Sequence, residues 1–294
     1  MKEQKRREEE EERRDGESAG LETPSETTQQ EDKEAKEEGK AEDKPAEGDG
    51  DKDQAKEEEE KDAGSVSSRS TASESGSIAA GLDKDYRVLN LNEKNLDDSK
   101  AAKLAKVLKK DKYRNLEYLL LRGNSMSDEG LAGVLQSLAE RPTSGEGALR
   151  LSHLDLGNSG LGEASAATLG RLLAAQGCPL RQLNLGENSL PAEAWESLIE
   201  GLRANAGLET LSAEYSRLGD TACVRLAEAL TDHQALEVMH LEGNGLGRRA
   251  GAALAQLVKD NSVITSIGLE RDNSIEPALL AEITEILETG SYVP

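Results

Sequence analysis

LRQLNLGENSLPAEAWESLIEGLRANAGL, residues 180–208, decides the fold. Leu180, Leu183 and Leu185 stand at LxxLxL spacing, and Asn188 with Leu190 extends this to LxxLxLxxNxL. Ala194, Leu198 and Leu202 then recur every four residues. The first part reads as a short strand and a turn, the second as one face of an amphipathic helix. At Leu208 the pattern starts again.

Worked outward, the unit begins at Tyr86, Leu116, Leu151, Leu180, Leu208, Leu236 and Ile264, with gaps of 30, 35, 29, 28, 28 and 28 residues. A period of 28 to 29 leaves room for a full α-helix in each unit. Pairs such as Leu89/Leu91, Leu119/Leu121, Leu154/Leu156 and Leu211/Ala213 are expected to point inward. Asn124, Asn188 and Asn244 form a column whose amides should bond the backbone of the turn, where the chain has left the ladder. Asn95 and Asn158 lie one place off that column, Ser216 replaces it in the fifth unit, and Asp272-Asn273 displaces it in the seventh. The asparagine ladder is therefore expected to break at those turns. The helix faces read Gly130/Val134/Leu138, Ser165/Leu169/Leu173, Ala222/Leu226/Leu230 and Ala250/Leu254/Val258, small residue first. Parallel strands sit about 4.8 Å apart, and packed helices need about 8–10 Å. Such a stack must bend with its strands inside. The expected fold is a right-handed α/β solenoid, a horseshoe arc of about seven repeats over residues 83–294. RPTSGEGALR, residues 141–150, reads as an inserted loop at its edge.

Three segments carry a family resemblance: LEYLLLRGNSMSDEGLAGVLQSL, the opening stretch, and LEVMHLEGNGLGRRAGAALAQLV. They resemble the ribonuclease-inhibitor-like subfamily of leucine-rich repeat proteins over about residues 84–288. The resemblance implies protein binding on the concave sheet and its ascending loops. It stops short of two named relatives. The ribonuclease inhibitor is rich in Cys and aromatics, whereas this chain has Cys 2 and Trp 1. The Ran GTPase activator carries a functional Arg in a long early loop and an acidic tail after its repeats. Here the second repeat has no long insert at that turn, and the acidic segment comes first.

Residues 1–82 read as a disordered acidic tail that ends in the serine-rich linker GSVSSRSTASESG, because so few apolar side chains cannot offset the entropy of ordering. Residues 1–80 hold 14 basic and 27 acidic side chains, so their charge is 14 − 27 = −13 of the total −22. Such a chain repels phosphate backbones and suits a basic protein partner. MKEQKRREEE shows no apolar leader, and no run of apolar residues is long enough to span a membrane. The expectation is a cytoplasmic monomer, with a cytoskeletal or ciliary setting open. No nucleic acid, membrane, metal or cofactor is expected.

Side chains between and after the core leucines should face the hollow. Tyr118, Leu120, Arg122, His153, Asp155, Glu187, Glu214, Tyr215, His240, Glu242 and Glu270 are the candidate partner-binding residues. Glu187, Glu214, Glu242 and Glu270 recur at about the repeat spacing and read as an acidic ladder. His153 and His240 stand three repeats apart, roughly 14 Å, too far to share an ion. Trp195 and Cys223 read as packing residues and Cys178 as exposed. No P-loop, GxSxG or HExxH occurs, so no catalytic residue is assigned. The leading expectation is a non-enzymatic interaction protein. A GTPase activator working through Arg122, Arg217, Arg248 or Arg271 is one alternative, and a part of a cytoskeletal or axonemal assembly is another.

Overall fold

Among the described residues, seven short parallel strands form one sheet in sequence order, each followed by a helix. The computed structural model describes residues 86–290. The acidic segment, the serine-rich linker and the boundary at residue 82 lie outside the described residues. The strands are β1 (Val88–Asn90), β2 (Tyr118–Leu120), β3 (His153–Asp155), β4 (Gln182–Asn184), β5 (Thr210–Ser212), β6 (Val238–His240) and β7 (Ser266–Gly268). The helices are α1 (Asp98–Leu108), α2 (Asp128–Ala139), α3 (Glu163–Ala174), α4 (Ala192–Ala204), α5 (Gly219–Leu230), α6 (Arg248–Asp260) and α7 (Pro277–Thr289). The fold is an α/β solenoid with the sheet on its inner side.

Register follows the leucines. Leu89, Leu119, Leu154, Leu183, Leu211, Met239 and Ile267 pair in one row across all seven strands. Six of the seven are buried, and Ile267 is half-buried because β7 is the last strand. Each full burial contributes roughly 1.5–3 kcal/mol. The small residue that opens a helix face does what its size allows: Ser165, Ala194 and Ala250 are buried, while Gly130 and Ala222 are half-buried. Tyr86 departs from the pattern. It is half-buried, has φ 57°, and meets Tyr113 edge-on at 5.8 Å instead of filling a leucine position. Lys112 lies over the Tyr113 ring at 4.9 Å.

The asparagine ladder joins each repeat to the one before. Asn124 Nδ2 donates to the carbonyls of Leu91 (2.9 Å) and Leu121, and its Oδ1 accepts from the N–H groups of Lys94 and Leu96. Asn188 and Asn244 repeat this set one turn at a time. The expected break in the seventh unit does not occur. Asp272, at φ 51°, takes up one extra residue, and Asn273 then accepts from Asn244 and Leu246 and donates to Leu241 and Leu269. Ser159 and Ser216 hold the position in the third and fifth repeats. Each donates to a leucine carbonyl, but neither accepts from the preceding turn as an asparagine does.

Two further devices were not read from the sequence. Asn205, His233 and Asn261 form a second column, 28 residues apart, in the turns that lead into the strands. Asn205 and Asn261 each accept two backbone N–H groups and donate to the end of the preceding helix. His233 accepts two N–H groups through Nδ1, but its buried Nε2 has no partner among the described residues. Aspartates in the first turn of one helix also cap the next. Asp98 accepts from Ser127 N, Asp220 from Gly247 N, and Asp128 from Gly162, Ala164 and Ser165. Burial alone would push the Asp128 carboxyl up. The Ser165 hydroxyl and the three N–H groups outweigh that and hold it below the usual carboxylate range.

Candidate functional site

The residues flanking the buried middle of each strand face the hollow, and two of them make its neutral end. Tyr118 and His153 pair across β2 and β3. Their rings stack at 4.0 Å with 19° between planes. Burial lowers the His153 pKa, with Glu209 and Glu117 pulling the other way. Leu120 and Asp155 complete this side of a hollow of about 280 Å³. Asp155 is partly committed, since its Oδ1 accepts from Gly157 N at 3.0 Å and closes its own turn.

The acidic end lies past β4 to β7, around a hollow of about 460 Å³ lined by Arg122, Glu187, Glu214, Tyr215, Glu242 and Glu270 among others. The glutamates do not form one column. Glu214, Glu242 and Glu270 follow directly on the last core position of their strands, whereas Glu187 is one residue further on, beside Gly186. Backbone bonds show the offset: Glu187 N donates to Glu214 O, and Tyr215 N to Glu242 O. Arg122, expected to await a partner, is bound to Glu187 across the hollow.

The column that holds Glu187 is left-handed in every repeat. Glu93, Gly123, Asn158, Glu187, Tyr215, Gly243 and Arg271 have φ from 46° to 70°. Glycine adopts this conformation freely, while a bulky side chain there costs roughly 1 kcal/mol or more. Glu187, Tyr215 and Arg271 keep side chains at three strained positions around one hollow. Tyr215 is 43% exposed, the one large apolar side chain exposed among the described residues. Its ring lies over Gly243, where an added Cβ would overlap it.

Glu214, His240 and Glu242 come together, which the separate comparison of the two hollow-facing histidines did not anticipate. One donor atom from each lies within 4.8 Å of the others. The remaining arginines are dispersed: Arg248 is 3.4 Å from Glu276 at the start of α6, and Arg217 is exposed on the turn after β5. Trp195 is fully buried and donates through Nε1 to Ser216 O at 3.2 Å. Cys223 is buried, as its helix position implied. Cys178 is buried as well, contrary to the sequence expectation, because the turn before β4 folds it under Leu180 and Asn205.

No family model matches the sequence. A ribonuclease inhibitor from Sus scrofa is 32% identical over 143 residues, 48% of this chain. Over that stretch the repeats are similar to the leucine-rich repeats of that inhibitor. The matched stretch spans 29% of that relative's length. The solved actin-binding site 2 of leiomodin-1 aligns with 53% of this chain and 86% of that one, at 13% identity and a TM-score of 0.44. A likeness that loose fixes no property of this chain. Among the described residues no helix is long and apolar enough to cross a membrane.

Proposed function

We propose that this protein acts by binding, and that its inner face receives a basic segment of another protein. The observation that carries the reading is the run of side chains kept at left-handed turn positions around the acidic hollow. Glu187 and Tyr215 occupy a backbone conformation that glycine would relieve, and both point where a partner would lie. Strain retained at such a position is a reason to suspect function. Glu214, Glu242 and Glu270 supply the charge, and Tyr118, Leu120 and His153 supply an apolar and aromatic anchor at the other end. Anchors of that kind carry most of the energy of an interface, while charge sets partner choice and on-rate. The likeness to a ribonuclease inhibitor supports the same reading, since inhibition is a binding function.

Co-purification from cell extract tests it, with the full chain beside a Glu187→Gln/Glu270→Gln variant. Few basic proteins, released by rising salt and lost from the variant, are expected. Retention that ignores salt, or that survives in the variant, would remove the electrostatic basis.

A further inference from the structure

The acidic hollow contains a set of donors that differs from the rest of the inner face. Glu214 and Glu242 occupy the same place in successive repeats, and His240 closes β6 beside them. Glu242 is the centre of the group. Its Oε1 is 4.0 Å from His240 Nδ1, and its Oε2 is buried without a hydrogen-bond partner among the described residues. A carboxylate oxygen withdrawn from water needs a donor or a cation. Gly268, the neighbouring position on β7, makes the space: a Cβ there would overlap Glu242 Oε1. Glycine thus lets the carboxylate lie flat against the sheet, turned toward His240.

Two carboxylates and an imidazole converging within 4.8 Å suit one divalent ion. Ligand atoms bound at about 2.0–2.2 Å around a tetrahedral ion stand roughly 3.3–3.6 Å apart, so a small inward movement of these side chains closes the set on an ion. The two carboxylates balance its charge. An imidazole nitrogen favours zinc, copper, iron or nickel over calcium and magnesium, which take oxygen ligands. Of the two arginines that line the hollow, Arg122 is bound to Glu187, and Arg271 follows Glu270 in the next repeat. Three ligands leave coordination positions open toward the hollow.

We propose that Glu214, His240 and Glu242 form a binding site for a transition-series divalent cation, with its open face on the inner groove. The site does not depend on the nature of the protein partner.

The chain has three histidines, His153, His233 and His240, so its imidazole NMR signals resolve the question directly. The full chain is titrated with zinc chloride. The His240 signals are expected to shift and saturate near one equivalent, while those of His153 and His233 stay in place. By calorimetry, His240→Ala and Glu242→Gln should each weaken the binding at least tenfold. The acidic N-terminal segment contains no histidine, so metal held there survives both changes. Gly268→Ala keeps all three ligands but closes the space under Glu242. It should weaken zinc several-fold while leaving the unfolding transition in place. Glu187→Gln/Glu270→Gln should leave zinc binding intact, which separates this site from the basic-partner groove. Unmoved His240 signals in excess zinc would overturn the assignment. So would unchanged affinity in His240→Ala and Glu242→Gln.

Discussion

Replacing His233 with Asn should stabilise this protein, more so at mildly acidic pH. His233 occupies a column whose other members are asparagines. Asn205 and Asn261 satisfy both functions of the site: two N–H groups are accepted, and an amide N–H is donated at 2.8–2.9 Å to Leu173 O or Leu230 O. The imidazole manages only the first. Nδ1 accepts from Ala235 and Leu236, so the proton of the neutral ring sits on Nε2, which is buried without a partner. A buried unsatisfied donor costs about 1–3 kcal/mol. The smaller asparagine gives up some packing in exchange. The net gain expected for His233→Asn near pH 7.5 is about 1 kcal/mol, a rise in Tm of roughly 2–4 °C for a domain of this size. The pH dependence has a definite sign. Burial lowers the folded-state pKa of His233, whereas the unfolded imidazole titrates near its ordinary value of about 6.5. Below that pH the unfolded chain binds more protons than the folded one, so wild-type stability falls as pH drops. Asparagine does not titrate. His153, also lowered, is common to both proteins and cancels in the difference. Urea unfolding followed by the fluorescence of Trp195, the single tryptophan and fully buried, measures the gap at pH 7.5 and 5.5. A gap that does not widen at pH 5.5, or a variant weaker than wild type at both, would refute the argument.

Asp128→Asn removes the charge from a carboxylate that caps α3 with three backbone N–H groups and the Ser165 hydroxyl, and should cost about 2 kcal/mol at pH 7. Because the native carboxyl is held below its usual range, that stabilisation is present above the unfolded pKa and lost as pH falls through the lower folded value. Urea midpoints of the two proteins should therefore converge toward pH 3. Gly201→Ala would set a Cβ 2.5 Å from Gly170 O and 2.7 Å from its Cα, where α3 and α4 touch backbone to backbone. Neither atom can swing away, so a loss of about 2–4 kcal/mol is expected in the same unfolding assay. Native Cys223, whose burial pushes its thiol up to about 12, should resist a disulfide reagent until the protein unfolds. Cys178, buried less completely, should react slowly but before Cys223 in a timed alkylation.

The leucines were legible because residue type and period agree. An apolar side chain at LxxLxL has one place to go, and β1 to β7 pair in the register that the spacing implies. The seventh turn was misread because a one-residue shift looks like a defect in a string of letters. In space a left-handed Asp272 takes up the extra residue, and Asn273 reaches the same partners. The second column stayed hidden for a different reason. Asn205, His233 and Asn261 differ in type and lie in turns without an apolar frame, so only the shared 28-residue offset could have revealed them. Cys178 was misplaced because turns are usually exposed, and here the turn packs under the next strand. The meeting of Glu214, His240 and Glu242 was beyond sequence reading. It requires knowing that a residue at the end of β6 reaches the turn of the repeat before it.

The acidic turns set a further constraint on what this surface is for. Carboxylates in one column stand about 4.8 Å apart, a strand spacing, and two unit charges at that distance repel by about 1–3 kcal/mol between bulk water and a protein surface. Glu214, Glu242 and Glu270 form such a row; Arg122, which holds the same place in the second repeat, is bound to Glu187 in the adjoining column, where Arg271 also stands, and no ion pair joins either arginine to the row among the described residues. The leucine core is large enough to tolerate the cost, but nothing in the fold requires it. Asn92, Arg122, Gly157 and Gly186 fill the same place in the first four repeats without carboxylates. On the proposed reading, the row answers to something outside the chain. A cation bridging Glu214 and Glu242, or a basic side chain laid along the column, would remove the same repulsive energy. The strongest binder here is accordingly the one that neutralises most of the row at once, and a metal ion and a basic segment would compete for Glu214 and Glu242 while Glu270 remained for the segment alone.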